Sequence, residues 1–287
     1  MAAVCYRSAV AREYVQARLA ENIVLADHTF VLRFSGCEFL ADTLPGQFVM
    51  LRGDDWGTDP LLPRAFSLLA VGPNGVADIL VKTSGKASAI LETALPGASF
   101  SFLGPLGKAF PQPSAQRRDW LIAGGVGLAP LYMQALRAAE LGVSRQLTMF
   151  YGGRSATDLV MLDEIAATGA ELVLATEDGS RGTEGYVTNA VDAALEADAQ
   201  QAPPTLLACG PDPMLEAVAK LAHRRDLSCY LSLEGEMACG IGACLACAVS
   251  CVGRPFRYAC VDGPVFSLSE LAGPYAAAAP PGAGAKQ

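Results

Sequence analysis

The stretch Glu234–Phe266, EGEMACGIGACLACAVSCVGRPFRYACVDGPVF, holds five of the nine cysteines of this 287-residue chain. Cys239, Cys244 and Cys247 follow the spacing C-x4-C-x2-C, and twelve residues separate Cys247 from Cys260. This spacing is typical of the ligands of a plant-type [2Fe–2S] cluster. The residues between the first three cysteines are mostly glycine and alanine, which allow a loop to bring its backbone N–H groups close to the cluster sulfurs. The stretch therefore predicts an iron–sulfur site near the C-terminal end of the chain.

Two alternatives remain open for this cysteine-rich stretch. A zinc site is the main one, although zinc ribbons usually carry two separated C-x2-C pairs, whereas three cysteines lie in a single run here. The other concerns the fourth ligand, because Cys251 could replace Cys260. We favour Cys260, since the longer return lets a hairpin, SCVGRPFRYAC, cross the cluster. Cys5, Cys37 and Cys229 are interpreted as small hydrophobic residues.

Composition and charge exclude several classes of function. The formal net charge is −8 and no stretch is rich in Lys and Arg, which argues against a nucleic-acid partner. The long uncharged run around WLIAGGVGLAPLYMQAL contains Gly and Pro and is too short to span a membrane. The N-terminus shows no signal-peptide pattern. We therefore expect a cytoplasmic protein, in which a cysteine cluster indicates metal or redox chemistry rather than disulfides.

The first part of the chain predicts an antiparallel β-barrel over residues 1–113. Its short apolar segments are separated by turn residues, as in small barrels, and they read TFVLRF, LPGQFVML, RAFSLLAV, VADILVKTS and FSFLGPLG. Only Ser88–Leu95 is predicted to be helical in this part. The linker Pro111–Arg118 is a plausible domain boundary.

From residue 114 to 228 apolar strands alternate with amphipathic helices, which predicts a doubly wound α/β fold with a parallel sheet. The first helix of this domain is predicted over Ala129–Leu141. Residues 229–271 would then form a small cluster-binding segment. Residues 272–287, AGPYAAAAPPGAGAKQ, are low in complexity and are expected to be disordered.

Three short patterns indicate nucleotide binding, although each alone is also compatible with an ordinary structural turn. Ala123–Pro130, AGGVGLAP, joins a predicted strand to a helix N-terminus, which is suited to a pyrophosphate, but it departs from G-x-G-x-x-G at the last position. Cys209–Met214, CGPDPM, follows a later strand at the sheet edge where α/β proteins bind ligands. Arg64–Ser67, RAFS, combines a cation, an aromatic ring and a hydroxyl on one strand.

Together with PGQFVML, DPLLPRAFSLL, LGPLGKAF and MACGIGACLACAV…CVDGPVF, these patterns resemble the ferredoxin–NADP reductase superfamily. The resemblance is closest to the electron-transfer (FAD and [2Fe–2S]) subunits of class 1B dihydroorotate dehydrogenases, and it covers Arg18–Leu271. It implies an oxidoreductase component in which FAD and the cluster pass electrons between exchangeable NAD and an FMN-containing catalytic subunit. It further implies a heterotetramer with two copies of each subunit and a role in pyrimidine biosynthesis.

The resemblance also implies site residues. FAD would contact residues of the barrel: Arg64, Ala65, Phe66, Ser67, Val81, Lys82, Thr83, Ala87 and Ser88. The nicotinamide nucleotide would contact Gly124, Gly125, Gly127, Cys209, Gly210 and Pro211. The cluster ligands would be Cys239, Cys244, Cys247 and Cys260. No residue is expected to act as a catalytic acid or base.

Two departures from the family pattern and two alternative functions remain. Glu236 stands where relatives tend to carry a basic residue, and Arg154 and Ser155 of YGGRS stand where NADP-using members of the wider superfamily hold a 2′-phosphate. We nevertheless favour NAD. The alternative functions are the reductase component of an oxygenase or another flavin/iron–sulfur oxidoreductase, and a zinc-stabilised binding module.

Overall fold

The computed structural model describes residues 12–198 and 200–276. The N-terminal domain is a seven-stranded antiparallel sheet in the order β4-β3-β7-β1-β2-β6-β5, with one helix. Its elements are β1 Glu13–Ala26, β2 Thr29–Ser35, β3 Phe48–Gly53, β4 Arg64–Ser67, β5 Ala70–Gly72, β6 Val76–Lys82, α1 Lys86–Glu92 and β7 Ser99–Leu106. The expected barrel-like domain is therefore present.

The two edge strands of this sheet follow each other in the chain, because only Leu68 and Leu69 separate β4 from β5. The segment predicted as one strand, RAFSLLAV, is thus two strands that bring the sheet edges together and curl it into a half-barrel. Inside, Phe34 packs edge-to-face on Phe100 and Phe102, with ring centroids 5.3 and 4.9 Å apart. The sequence patterns missed β1, the longest strand, although Ala17 and Leu19 alternate inward on it.

The second domain is a seven-stranded sheet in the order β11-β10-β9-β8-β12-β13-β16. All pairs are parallel except the last, in which β16 runs antiparallel to β13. Its elements are β8 Asp119–Gly124, α2 Leu128–Glu140, β9 Leu147–Gly153, α3 Leu162–Ala167, β10 Glu171–Thr176, β11 Thr183–Glu184, α4 Val187–Ala197, β12 Thr205–Cys209, α5 Asp212–Arg225, β13 Cys229–Ser232 and β16 Val265–Ser267. Buried residues of α2 and α3 form one hydrophobic core, and those of α4 and α5 form another on the opposite face.

The strand order places the topological switch point between β8 and β12, which lie side by side while the chain winds outward in both directions. The loops after these two strands are the glycine-containing segments AGGVG and CGP. The fold therefore brings both predicted nucleotide motifs to one crevice at the carboxyl edge of the sheet.

The cysteine-rich segment consists of a loop, a hairpin and a short helix. The hairpin is β14 Ala248–Cys251 with β15 Arg254–Tyr258, as predicted, and the helix is α6 Ala259–Asp262. The structure differs from the proposed boundary after residue 228, because β13 and β16 flank this segment and both belong to the second sheet. Apolar side chains such as Leu231 and Phe266 are fully buried there, so the cluster segment is inserted at the edge of the α/β domain.

Ordered structure continues into the first residues of the predicted tail. Gly273–Tyr275 forms a short 3₁₀ helix, and Tyr275 is buried against α5. The Tyr275 hydroxyl donates to Asp212 Oδ1 at 3.3 Å, and His223 Nε2 lies 2.9 Å from the Tyr275 carbonyl oxygen. Cys5 and residues 277–287 lie outside the described residues. No helix in the described part of the chain is both long and apolar enough to cross a membrane.

Candidate functional site

The loop that begins at Cys239 is folded around the sulfur of that residue. The Cys239 Sγ accepts hydrogen bonds from the backbone N–H groups of Ile241 at 3.5 Å, Ala243 at 3.3 Å and Cys244 at 3.4 Å. Burial disfavours the thiolate, but these donors outweigh it and lower the pKa of Cys239 to about 6. The loop can take this shape because Gly240 adopts a φ of +71°. Such a nest of N–H groups suits an anionic sulfur ligand.

The four predicted ligands influence one another. The thiol of Cys244 affects the pKa of Cys239, and the thiols of Cys247 and Cys239 affect that of Cys260. Burial, followed by the neighbouring Cys247 thiol, raises the pKa of Cys260 to about 12. A [2Fe–2S] cluster takes four thiolates, so this group of thiols matches its donor set. Among residues 12–198 and 200–276, no three His, Cys, Asp or Glu side chains converge as they would around a single metal ion.

The pKa of Cys251 is not affected by these four thiols. Cys251 sits on β14, buried, and the groups that act on its thiol are Arg257, Glu270 and Asp262 rather than another cysteine. Burial, the largest of these influences, raises the pKa of Cys251. The arrangement supports Cys260 as the fourth ligand and Cys251 as a structural residue of the hairpin.

The cluster loop packs directly on the barrel. A Cβ added to Gly240 would lie 2.5 Å from Met50 Cγ on β3 and 2.9 Å from Leu106 Cδ1 on β7. Met237, two residues before Cys239, lines a cavity of about 390 Å³ whose other walls come from the barrel and the α/β domain. The segment that leads into the loop of Cys239, Cys244 and Cys247 therefore forms part of this cavity.

The first cavity collects nearly all of the residues that the family resemblance assigned to FAD. Those on its wall are Arg64, Ala65, Phe66, Ser67, Val81, Lys82, Ala87 and Ser88. All four residues of β4 contribute to this wall, although a strand directs alternate side chains to opposite faces. Lys82 is paired with Asp158 and Lys86 with Asp59, so among the described residues Arg64 is the cation of this wall without an ion-pair partner, and its guanidinium suits a diphosphate.

Thr83 is the exception among the residues assigned to FAD. Its hydroxyl donates to Glu92 Oε2 at 2.8 Å, and its N–H donates to the carbonyl of His28. The structure thus uses Thr83 to anchor α1 to the turn before β2 and does not place it on the cavity wall. Gly85, in the turn GKAS that the resemblance also assigned to FAD, lines the cavity, and so does Ser84, which the sequence analysis did not include.

The glycine motifs form a second cavity of about 810 Å³, lined by Gly124, Gly125, Gly127, Gly210 and Pro211. Gly127 is needed for packing, because a Cβ there would overlap the Cys209 carbonyl group. Gly125 is different: its φ is +54°, and a Cβ there would meet no atom within 4 Å. One glycine therefore holds the two loops together, and another leaves the cavity open for close approach of a ligand.

Cys209 and Glu234 lie where the two cavities meet. Cys209, assigned to the nicotinamide, lines the first cavity, whereas Glu234 lines both. Burial, and then the charge of Glu234, raises the pKa of Cys209 to about 12, so this thiol stays protonated. Glu234 remains in contact with solvent, yet its carboxylate is partly desolvated by the cavity walls. This desolvation, followed by the negative charge of Asp212, raises the pKa of Glu234. Sequence patterns gave no signal for Glu234.

Two family models match the chain. Residues 121–220 match a model described as an oxidoreductase NAD-binding domain, and residues 234–272 match the iron–sulfur cluster binding domain of dihydroorotate dehydrogenase B. Among solved structures, the chain is similar to an NADH-dependent reduced ferredoxin-NADP oxidoreductase, with a TM-score of 0.76 and 27% identity over 89% of both chains. It is also similar to an Amycolatopsis cytochrome P450 reductase, with a TM-score of 0.63 and 26% identity over 76% of this chain and 67% of the other.

The fold and the site define an oxidoreductase of the ferredoxin-reductase type with FAD, NAD and [2Fe–2S] sites. Similarity to curated relatives identifies a particular family within this class of oxidoreductases. The chain is 38% identical to the electron transfer subunit of dihydroorotate dehydrogenase B (NAD(+)) from Geobacillus kaustophilus, over 88% of this chain and 96% of that protein. It is 34% identical to the corresponding subunit from Clostridium acetobutylicum, over 90% and 97%. The chain belongs to the family of dihydroorotate dehydrogenase B electron transfer subunits.

Proposed function

We propose that this chain carries electrons between NAD and an FMN-containing catalytic subunit that oxidises dihydroorotate in pyrimidine biosynthesis. The observation that carries the proposal is the contact between the cluster loop and the flavin cavity. Met237 lines that cavity, and Gly240 packs on Met50 of the barrel. The segment that carries the cluster cysteines therefore adjoins the cavity proposed for the flavin.

The cofactors supply the redox chemistry, and the chain supplies their positions. When bound, FAD exchanges an electron pair with the nicotinamide, and the cluster takes electrons one at a time. Arg64 provides positive charge for the flavin diphosphate, and Gly125 leaves room for the coenzyme. The four cysteines need a reducing compartment to stay available as thiolates, so we propose a cytoplasmic location.

The partner surface is proposed to be the outer face of the cluster segment. Four large apolar side chains are exposed on this short segment: Ile241, Leu245, Val252 and Phe256. Phe256, at the hairpin, is 57% exposed. Clustered exposed apolar side chains are typical of protein interfaces, and docking here would bring the catalytic subunit to the cluster. From the family resemblance, we propose an assembly of two copies of each subunit.

A reconstitution tests this function. The chain, loaded with FAD and cluster, is mixed with an FMN-containing dihydroorotate dehydrogenase catalytic subunit and dihydroorotate. Reduction of NAD+ to NADH is followed by the increase in absorbance at about 340 nm, where NADH absorbs. We expect NADH formation only when both proteins are present. Phe256→Lys should abolish it, whereas Leu95→Lys, at an exposed apolar residue of the barrel domain, should not.

Two results would contradict the proposal. Electron transfer to an oxygenase ferredoxin but not to the catalytic subunit would assign the chain to the reductases of oxygenases. Colourless protein loaded with zinc would instead support a zinc-stabilised binding module.

A further inference from the structure

Two successive elements of the chain supply walls of the first cavity, the end of strand β6 and the first turn of helix α1. The residues concerned are Val81, Lys82, Lys86, Ala87 and Ser88. Helix α1 has only seven residues, of which Ala87 and Leu91 are buried. A helix of this length is not stable by itself in water. The position of the α1 wall therefore depends on the contacts that the helix makes at its other end.

The C-terminal end of α1 is held by the side chain of Asn22 on β1. The Asn22 Nδ2 group donates to the carbonyl oxygens of Leu91 at 3.2 Å, Glu92 at 3.0 Å and Ala94 at 3.1 Å. The last carbonyl groups of a helix have no partner within the helix, so a single amide group satisfies several of them here. Asn22 thus ties the end of α1 to the barrel sheet.

The carboxylate of Glu92 makes two further contacts at this end of α1. Its Oε2 accepts a hydrogen bond from the Thr83 hydroxyl at 2.8 Å, and its Oε1 lies 3.0 Å from His28 Nδ1. Thr83 follows directly after β6, and its N–H donates to the His28 carbonyl at 2.8 Å. The hydrogen bond from Thr83, more than the neighbouring His28, lowers the pKa of Glu92, so the group is ionised near neutral pH. Glu92 therefore connects the two elements that form the cavity walls.

We propose that Glu92 is a positioning residue for FAD, an inference that rests on the proposed function, in which the first cavity holds the flavin cofactor. Glu92 is not on the cavity wall and acts through its neighbours. It fixes the end of β6 through Thr83, and together with Asn22 it keeps α1 against the barrel. FAD then meets a wall that is already in place, so its binding does not include the entropic cost of ordering α1. Thr83 thereby affects FAD binding without lining the cavity.

Calorimetric titration with FAD of the full chain, loaded with the cluster but stripped of FAD, tests this role. We expect Glu92→Ala to weaken FAD binding about tenfold, because both contacts of the carboxylate are lost, and Thr83→Val to weaken it about threefold. Glu92→Gln should bind FAD within about twofold of the parent protein, because its amide oxygen can accept from Thr83 and its amide N–H can donate to His28. Should Glu92→Ala fail to fold, Thr83→Val provides the same test.

Two controls separate positioning from general stability. Glu140 also ends a helix whose first turn lines the cavity, but its carboxylate pairs with Arg137 of the same helix. Glu140→Ala should therefore leave the FAD affinity unchanged. Tyr275→Ala should lower the free energy of unfolding, because Tyr275 is buried against α5, and it should also leave the FAD affinity unchanged.

The outcomes distinguish this role from the proposed function. An unchanged FAD affinity in Glu92→Ala and Thr83→Val, with normal binding by the parent, would overturn the positioning role and leave the proposed function intact. An equal loss in Glu92→Ala and Glu92→Gln, or a comparable loss in Tyr275→Ala, would also overturn it, because the effect would not depend on the contacts of Glu92. Failure of the parent to bind FAD would overturn the proposed function and this inference with it.

Discussion

Lys82 on β6 and Asp158, in the loop after β9, form an ion pair across the boundary between the barrel and the α/β domain, with Nζ and Oδ1 2.7 Å apart. Both residues line the second cavity, and Lys82 also lines the first. Burial raises the pKa of Asp158, but Lys82 and the N–H of Ser155 outweigh it and hold that pKa below its ordinary value. The pair therefore links the two domains beside both ligand cavities.

This ion pair predicts a pH-dependent contribution to stability. Because the pKa of Asp158 is lowered by folding, its contribution is complete above the ordinary value near 3.8 and is lost as the pH falls below it. Asp158→Asn should lower the free energy of unfolding by about 1 kcal/mol at pH 7. Urea titrations at pH 7 and pH 3.5 should show the difference shrinking at the lower pH. Glu216→Gln, at the exposed pair with Lys220, is the control and should have little effect; a pH-independent loss in Asp158→Asn would contradict the assignment.

The mutual influence of four of the thiols predicts which cysteines bind iron. Replacement of Cys239, Cys244, Cys247 or Cys260 by serine should remove the brown colour and most of the iron, whereas Cys251→Ser should retain about two irons and two sulfides per chain. Iron and sulfide analysis of anaerobically purified protein gives the answer. Loss of iron in Cys251→Ser together with retention in Cys260→Ser would exchange the roles of these two residues.

The two glycines of the AGGVG loop should respond differently to alanine. Gly127→Ala should lower the free energy of unfolding by about 2 kcal/mol or more, because its methyl group would overlap the Cys209 backbone. Gly125→Ala should cost only about 1 kcal/mol, for its left-handed φ, but should weaken NAD+ binding about tenfold because the methyl group enters the cavity. Chemical unfolding and calorimetry separate the two effects. Equal stability losses for both variants would contradict this division.

The burial of Tyr275 and its hydrogen bond to Asp212 predict that residues 273–275 contribute to the stability of the fold. Burial, and then the neighbouring Asp212 carboxylate, raises the pKa of Tyr275 to about 12, so the hydroxyl stays protonated and donates to Asp212. Tyr275→Ala should cost about 3 kcal/mol through lost packing. Tyr275→Phe keeps the ring and should cost about 1 kcal/mol. Urea unfolding of both variants checks the ratio, and an unaffected Tyr275→Ala would mean that this segment does not pack in solution.

Local patterns account for much of the fold and of the cluster site. The spacing of Cys239, Cys244 and Cys247 predicts iron–sulfur ligation, because a cluster needs thiolates on a loop short enough to surround it. The alternation of apolar strands and amphipathic helices predicts the α/β domain for a similar reason, since each element displays its own period. Strand β1 shows the limit of prediction from local patterns. Its ends carry exposed polar residues without a clear alternation, and its extended conformation is fixed by pairing with β2 and β7.

The cysteine spacing, the two nucleotide motifs and the class of fold could be predicted because each depends on residues close together in the chain. Contacts between distant segments became visible in the folded chain alone. The Thr83 hydroxyl donates to Glu92, Cys209 and Glu234 lie at the junction of two cavities, and backbone hydrogen bonds join the loop of Glu177 to that of Arg154. Local patterns do not predict these contacts, because strand order and domain packing bring together residues from separate segments.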